Sequence, residues 1–434
     1  MRAGQLVPVL MAEVAQKCLE ANSRAVPPEA IFARIQQVRV DFAQALTQCL
    51  VEEGSRGNEV FHLLEVVWKA LRSRYPSYEA ALVGDDTEYY RSLLNVLFLA
   101  LQFHVDVPRL QNQPEVLTKA ARVSSNIPVI VEVVKTIVAQ GFRSLTSYLH
   151  DDPDKCTPKD FAIIIAILQT CLQVKDADRL FEYITFHIQD NDTVRHATTL
   201  FSWADQLAIA GDPVYGEVSL SFLVKLSTLP MLAEHLAVEG VLGKLSTCRL
   251  TNILQQPKGF GPFDPVPRLY NIWTGGFLPL CLNLLFNVVR AAPEVSAFLN
   301  QFEGQLSRAA EVFSHGHATP QSQWISLSMA SEAYSLALIS VALDRFRKAG
   351  PSAGLDPQSI QELKWDRSHV KADIEELLSR RPYLRGRIVA TNDKEAEMSR
   401  QPALDSKHNA ESRLEEKIVI ELEEVLACLN NGED

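Results

Sequence analysis

"PRLYNIWTGGFLPLCLNLLFNVVR" occupies Pro267 to Arg290, and no charged side chain falls between Arg268 and Arg290. A run of about 20 apolar residues is long enough to span a bilayer. This one is interrupted by Asn271, Thr274, Gly275, Gly276, Pro279, Asn283 and Asn287, and each amide left unpaired in hydrocarbon is costly. The reading that fits is a short helix ending near the Gly275-Gly276 pair, then a second helix with Pro279 in its first turn. Leu280, Leu284 and Val288 leave that second helix apolar on most faces, so it is expected between other helices, and no transmembrane segment is expected.

Outward from this stretch the chain keeps reading as helix. In "DFAQALTQCLVEE" the apolar positions Phe42, Ala45, Leu46, Cys49 and Leu50 recur at spacings of three and four, which makes one stripe. "EYYRSLLNVLFLALQFHV" and "DFAIIIAILQTCLQV" are apolar nearly all round, as helices between two layers should be. Proline marks the starts, because its missing N–H is no loss in a first helical turn. Pro28, Pro114, Pro158, Pro213, Pro293, Pro320 and Pro357 each stand just before an amphipathic run, several beside a capping residue and an acid. About fifteen to twenty helices with short connections predict an all-α fold, an α-helical solenoid in which each helix pair buries its face on the next. The proline intervals are irregular, which suits divergent HEAT or armadillo pairs; separate helical bundles are the alternative.

The expected organisation is a continuous solenoid over residues 1–383, a polar mobile segment over 384–410, and an acidic amphipathic helix over 411–434. "QQPKGFGPFDPVPR", Gln255 to Arg268, has four prolines and two glycines and reads as an irregular loop. "KAGPSAGLDP", Lys348 to Pro357, is a shorter turn of the same kind. In the last helix Leu414, Ile418, Leu422, Val425 and Leu429 form one apolar stripe. Residues 409–434 carry eight acids against Arg413 and Lys417, a net of -6 within a whole-chain charge of -11. Its polar face caps the core or offers a partner a docking helix.

With 434 residues, 47% hydrophobic and 22% charged, the chain can bury a large core. Its acidity opposes a broad grip on phosphates, so no direct nucleic-acid partner is expected. The local basic group Arg380, Arg381, Arg385 and Arg387 is better read as structural cations at a helix end. Seven cysteines without a C-x-x-C pair, most in apolar runs, read as reduced hydrophobes in an intracellular compartment. "MRAGQLVPVLMAEVA" imitates a signal peptide, but Pro8 breaks its short apolar core. The start straight into an amphipathic helix suggests a fragment of a longer protein.

Chemistry leaves little trace. The phosphate loop G-x-x-x-x-G-K-[ST], the G-x-G-x-x-G turn, H-E-x-x-H and G-x-S-x-G are absent. "HDDPDKC", His150 to Cys156, gathers metal-ligand types but lacks the Gly and Glu positions of a calcium loop and reads as a turn. His315 and His317 lack a nearby third ligand. Trp68, Trp203, Trp273, Trp324 and Trp365 are spread one per region, like core aromatics and unlike a base-stacking platform. No catalytic residue, cofactor or metal is expected, and an enzyme is the weakest of the function classes.

"GFGPFDPVPRLYNIWTGGFLPLCLNLL", with "RIVATNDKEAEM" further on, resembles the C-terminal tail of the large scaffold nucleoporins of the 188-kDa class, from the inner ring of the nuclear pore complex. Pro267, Leu269, Tyr270, Trp273, Gly276, Leu278, Pro279, Asn283 and Leu284 carry the likeness, which covers about a tenth of the chain. The resemblance implies a right-handed superhelix of HEAT and armadillo-like pairs, similar in shape to nuclear transport receptors (karyopherins), without catalytic activity, at the nuclear envelope. It implies as partners other nucleoporins, above all short helical segments of the coiled-coil linker nucleoporin, with weak binding of Phe-Gly repeats as a further expectation. The chain's one Phe-Gly pair, Phe260-Gly261, excludes a repeat-barrier protein. The alternative is a soluble HEAT-repeat transport receptor or cargo adaptor. Tyr334, Leu338, Trp365 and Leu377, on the last helices, are the expected partner-binding residues, because a solenoid end lacks a neighbour to cover it.

Overall fold

Pro158 shows how the helices start: it occupies the first turn of its helix, with Thr157 and Asp160 forming a reciprocal capping box. Pro293 and Pro357 also stand in first turns, and Pro213 immediately precedes one. The computed structural model describes residues 3–24, 30–55, 57–84, 86–105, 126–174, 177–314, 324–350, 354–404 and 410–431. Pro28, Pro114, Pro320, His315 and His317 lie outside them.

The chain divides into two compact units, Met1–Ala197 and Thr198–Asp434, a different partition from one solenoid over residues 1–383. The first unit contains α1 (Ala3–Asn22), α2 (Ala30–Glu52), α3 (Asn58–Arg74), α4 (Tyr78–Val83) and α5 (Thr87–Gln102). It continues with α6 (Ile127–Val133), α7 (Gly141–Asp151), α8 (Pro158–Leu172) and α9 (Phe181–Asp190). The division falls within α10 (Thr193–Trp203). The second unit opens with α11 (Val214–Ser227), α12 (Pro230–Val238), α13 (Val241–Ser246) and α14 (Arg249–Leu254). After the proline-rich loop come α15 (Pro267–Asn271), α16 (Leu278–Asn287), α17 (Ala292–Leu299) and α18 (Glu303–Glu311). It ends with α19 (Leu327–Ala349), α20 (Arg367–Ser379), α21 (Arg381–Arg387), α22 (Asp393–Arg400) and α23 (Arg413–Asn431). No strand forms among the described residues, only isolated bridges. The helices outnumber expectation because several are two turns or shorter.

In the first unit α1 packs on α2 and α3, α2 on α5, and α5 on α8. Edge-to-face rings fill its core, Tyr78 against Tyr90 at 4.9 Å and Phe142 against Phe161 at 5.3 Å. The buried carboxylate of Asp160 accepts from Tyr78 Oη at 2.7 Å, Arg91 Nη2 at 2.7 Å and the Thr157 backbone N–H at 2.8 Å. Burial alone would raise its pKa, yet the Arg91, Tyr78 and Thr157 bonds hold it below the usual carboxylate value.

The charge-free stretch does not stop at its glycines. A π-helical segment, Ile272–Phe277, joins α15 to α16, and neither Gly275 nor Gly276 has positive φ. The Leu278 N–H donates to the Trp273 carbonyl, one residue wider than an α-helical bond, so the ladder steps round Pro279, which has no N–H to give. A Cβ on Gly276 would lie 2.8 Å from Leu220 Cδ1, so glycine lets α11 approach closely. The resulting helix, Pro267–Asn287, has the length and mean hydropathy of a membrane span. It is packed instead against α11, α12, α17 and α19, with Trp273, Phe277 and Cys281 fully buried.

Other differences from expectation have local causes. Residues 384–410, expected to be polar and mobile, include the end of α21 and all of α22, which is capped by the Asn392 side chain and held by the buried Glu395; 405–409 lie outside the described residues. The basic cluster is absorbed structurally: Arg381 pairs with Glu423, Arg385 with Glu411 and Glu415, and Arg387 donates to the Val312 and Phe313 carbonyls. Trp324 is 41% exposed, whereas Trp68, Trp273 and Trp365 are buried. In α2, Leu50 is buried but Phe42 is 51% exposed and Ala45 and Cys49 face outward, so the stripe read there is not the core face.

Candidate partner-binding groove

Helix α19 is apolar enough to bury two faces, and it packs on α16, α17, α18 and α23. The stripe of α23 closes on it, with Leu414, Ile418, Leu422 and Val425 at most 1% exposed. One ridge of α19 stays open. Tyr334, Leu338, Ala342 and Arg345 recur along it at spacings of four, four and three, with the buried Val341 beside them, opposite Glu424, Ala427, Cys428 and Asn431 of α23. Phe286, 67% exposed at the end of α16, completes a trough of about 480 Å³. Its floor is apolar and continuous, the form that accepts an amphipathic helix.

The rim is acidic. Burial, then the nearby Glu424 carboxylate, raises the pKa of Glu421, and one oxygen of Glu421 has no hydrogen-bond partner. Burial also raises the Tyr334 phenol, with Glu424, Cys428 and Glu421 adding to it, and burial raises the Cys428 thiol. A cation placed beside Glu424 would add to the partial neutralisation that Arg345 and Lys417 already provide.

Two of the four expected partner-binding residues, Tyr334 and Leu338, therefore meet in one groove. Trp365 and Leu377 do not: they are 3% and 0% exposed and belong to the core, Leu377 because α20 lies under α23. Phe286, Glu424, Ala427 and Cys428 escaped the sequence reading. The available signal was the second, weaker face of α23, where 424, 427, 428 and 431 repeat at helical spacing.

A buried ionisable cluster lies elsewhere in the unit. Glu332, 2% exposed, accepts from Tyr270 Oη and Trp273 Nε1, each at 2.7 Å, and from Arg308. Burial, then the Glu332 carboxylate, pushes the Tyr270 phenol well above its ordinary value, so it stays a donor; burial would lower Arg308, but Glu332 more than offsets it. With its oxygens engaged by three donors, Glu332 ties α15 and its π turn to α18 and α19. The proline-rich loop rests on the same place: a Cβ on Gly304 would lie 2.1 Å from the Gln256 carbonyl oxygen, and Gly259 has φ of +66°. No group of three or more potential metal ligands occurs among the described residues.

Residues 63–429 match the family described as the nuclear pore protein NUP188 C-terminal domain. Nucleoporin NUP188 of Chaetomium thermophilum is 33% identical over 97% of this chain. Nucleoporin nup184 of Schizosaccharomyces pombe is 27% identical over 52% of it, and nucleoporin NUP188 of Saccharomyces cerevisiae 23% over 54%. The matched stretches make up 24%, 13% and 14% of those proteins, so the chain spans a quarter or less of their length. Among solved structures, Nup188(aa1445-1827) from Myceliophthora thermophila has a TM-score of 0.67 at 32% identity, covering 84% of this chain and 98% of that one. That neighbour is an α-helical solenoid, which bears out the expected fold class. With the family matched over most of its length, this chain belongs to the nuclear pore protein NUP188 C-terminal domain family.

Proposed function

We propose that this chain is a scaffold module of the nuclear pore complex at the nuclear envelope, and that it acts by binding and not by catalysis. Family membership and the relatives' names as nucleoporins support the scaffold reading. The observation that carries the mode of action is the open apolar trough between α19 and α23, with Phe286 at one end and Glu424 and Arg345 among its polar lining. Its occupant is a short amphipathic helix of a linker nucleoporin, with apolar anchors at helical spacing and a Lys or Arg facing Glu424. Weak binding of Phe-Gly repeats at the same trough is the second arm of this reading.

The test is isothermal titration of the chain with synthetic helical segments of the linker nucleoporins of the inner ring, a Phe-Gly repeat peptide and a scrambled control. One segment should bind saturably with one-to-one stoichiometry. Leu338→Asp should weaken that binding about tenfold or more, because a charge in the trough must be desolvated. Equal, unsaturable heats for every peptide would remove the groove reading.

A further inference from the structure

Two charged side chains line the α19–α23 trough, Arg345 of α19 and Glu424 of α23, and both are exposed. Neither enters an ion pair among the described residues, although other charges of these elements are committed: Arg347 and Arg367 share Asp344, and Glu423 is held by Arg381. In water an exposed charge needs no partner. A helix laid into the trough would strip that water from both, and each would then require an opposite charge.

The two charges stand at opposite ends. The Ser331 hydroxyl donates to Glu421, the Tyr334 phenol lies in the field of Glu424, and Arg345 lies in that of Cys428. Rising residue numbers on α19 thus meet rising numbers on α23, so the two helices run parallel. Tyr334 and Glu424 open the lining of the trough, and Arg345 follows Tyr334 eleven residues along α19, about 16 Å at the helical rise. The C-termini of α19 and α23, at Ala349 and Asn431, both lie toward the Arg345 end, so both helix dipoles turn their negative poles there.

We infer that the trough takes its helix antiparallel to α19 and α23, with an Asp or Glu of the occupant's first turn on Arg345 and a Lys or Arg eleven residues later on Glu424. This rests on the helix-in-groove reading and adds to it a direction and an order of charges. Eleven residues make about three turns, so the acid and the base fall on one face and flank the apolar anchors between them. The order also suits the occupant itself, because acids are favoured in a first turn and cations in a last one. Its N-terminus, the positive pole, meets the negative poles of α19 and α23. The opposite direction would set the same acid against Glu424 and the same base against Arg345, and desolvated like charges repel.

The experiment uses the whole 434-residue chain and the linker-nucleoporin segment that binds it in the titration described above. The segment is synthesised in two versions of identical composition: Glu in the first turn with Lys eleven residues later, or the two exchanged, both beside the apolar stripe. On the parent chain the Glu-first version should bind about tenfold or more tighter. The order of affinities should invert on the double variant Arg345→Glu with Glu424→Lys. Both positions are exposed, so that variant should keep the parental circular dichroism and melting temperature. Equal affinities on the parent, or tighter binding of the Lys-first version, overturn the direction while leaving the groove occupied. Binding of neither version, or binding that Leu338→Asp does not weaken, overturns the direction and the groove together. Self-association abolished by Leu338→Asp would make a second copy the occupant and overturn the inference as well.

Discussion

At residue scale the fold rests on two buried carboxylates that draw distant helices together. Glu332→Ala leaves the partly buried Arg308 without its counter-charge and the buried Tyr270 and Trp273 without their acceptor. Breaking a buried pair in this way costs about 3–5 kcal/mol, to be read as a drop in urea midpoint at unchanged m-value. A loss below about 1 kcal/mol would show that Arg308 finds water and that the network is peripheral. Asp160 carries a pH dependence. Its folded pKa lies below the unfolded value, so its stabilisation is complete above about pH 4 and is lost as pH falls through the folded pKa. Asp160→Asn should therefore be markedly less stable than the parent at neutral pH, with the gap closing as pH falls through the folded pKa; a gap unchanged by acid would assign the effect to shape and not to charge. Only part of this was legible. Thr157, Pro158 and Asp160 announce a capped helix start in the sequence, but the bonds from Tyr78 and Arg91 join residues 82 and 69 positions away, and no local pattern encodes such pairings.

At element scale the α19–α23 pair sets a buried seam beside an open trough. Leu422, 0% exposed on the face against α19, is core, and Leu422→Ala should cost about 2–5 kcal/mol. Leu338→Ala, on the open ridge of α19, should change stability by about 0.5 kcal/mol or less while weakening peptide binding. If both substitutions destabilise alike, the trough closes in solution and offers no groove. The stripe of α23 was readable because a strongly amphipathic helix has one low-energy way to face a core. The trough was half readable: Tyr334 and Leu338 line it, but Trp365 and Leu377 look equally apolar in sequence, and only packing decides which apolar residue is covered. The same limit explains α2, where periodicity located a stripe correctly and burial went to the other face. Periodicity also placed a break at Gly275-Gly276, where the chain inserted a π turn, since glycine there serves the approach of Leu220 and not a left-handed stop.

At the scale of the whole molecule the all-α class followed from the succession of amphipathic runs and proline starts, whereas the division at residues 197 and 198 did not, because no proline-rich or polar linker marks it and α10 runs through it. Stacked helical architectures gain stability mainly from neighbouring repeats, so a lesion should spread only as far as the contacts it weakens. The two carboxylate hubs lie in different units, Asp160 in the first and Glu332 in the second. Native-state hydrogen exchange followed by mass spectrometry can therefore compare their reach. Glu332→Ala should raise exchange in α15 to α19 and in α23 and leave α5 to α8 at parental protection; Asp160→Asn should do the reverse. Uniform acceleration along the chain in either variant would mean that the units unfold in one cooperative step. Local acceleration would instead give the molecule two independently tunable halves, so that a variant in one leaves the other at parental stability.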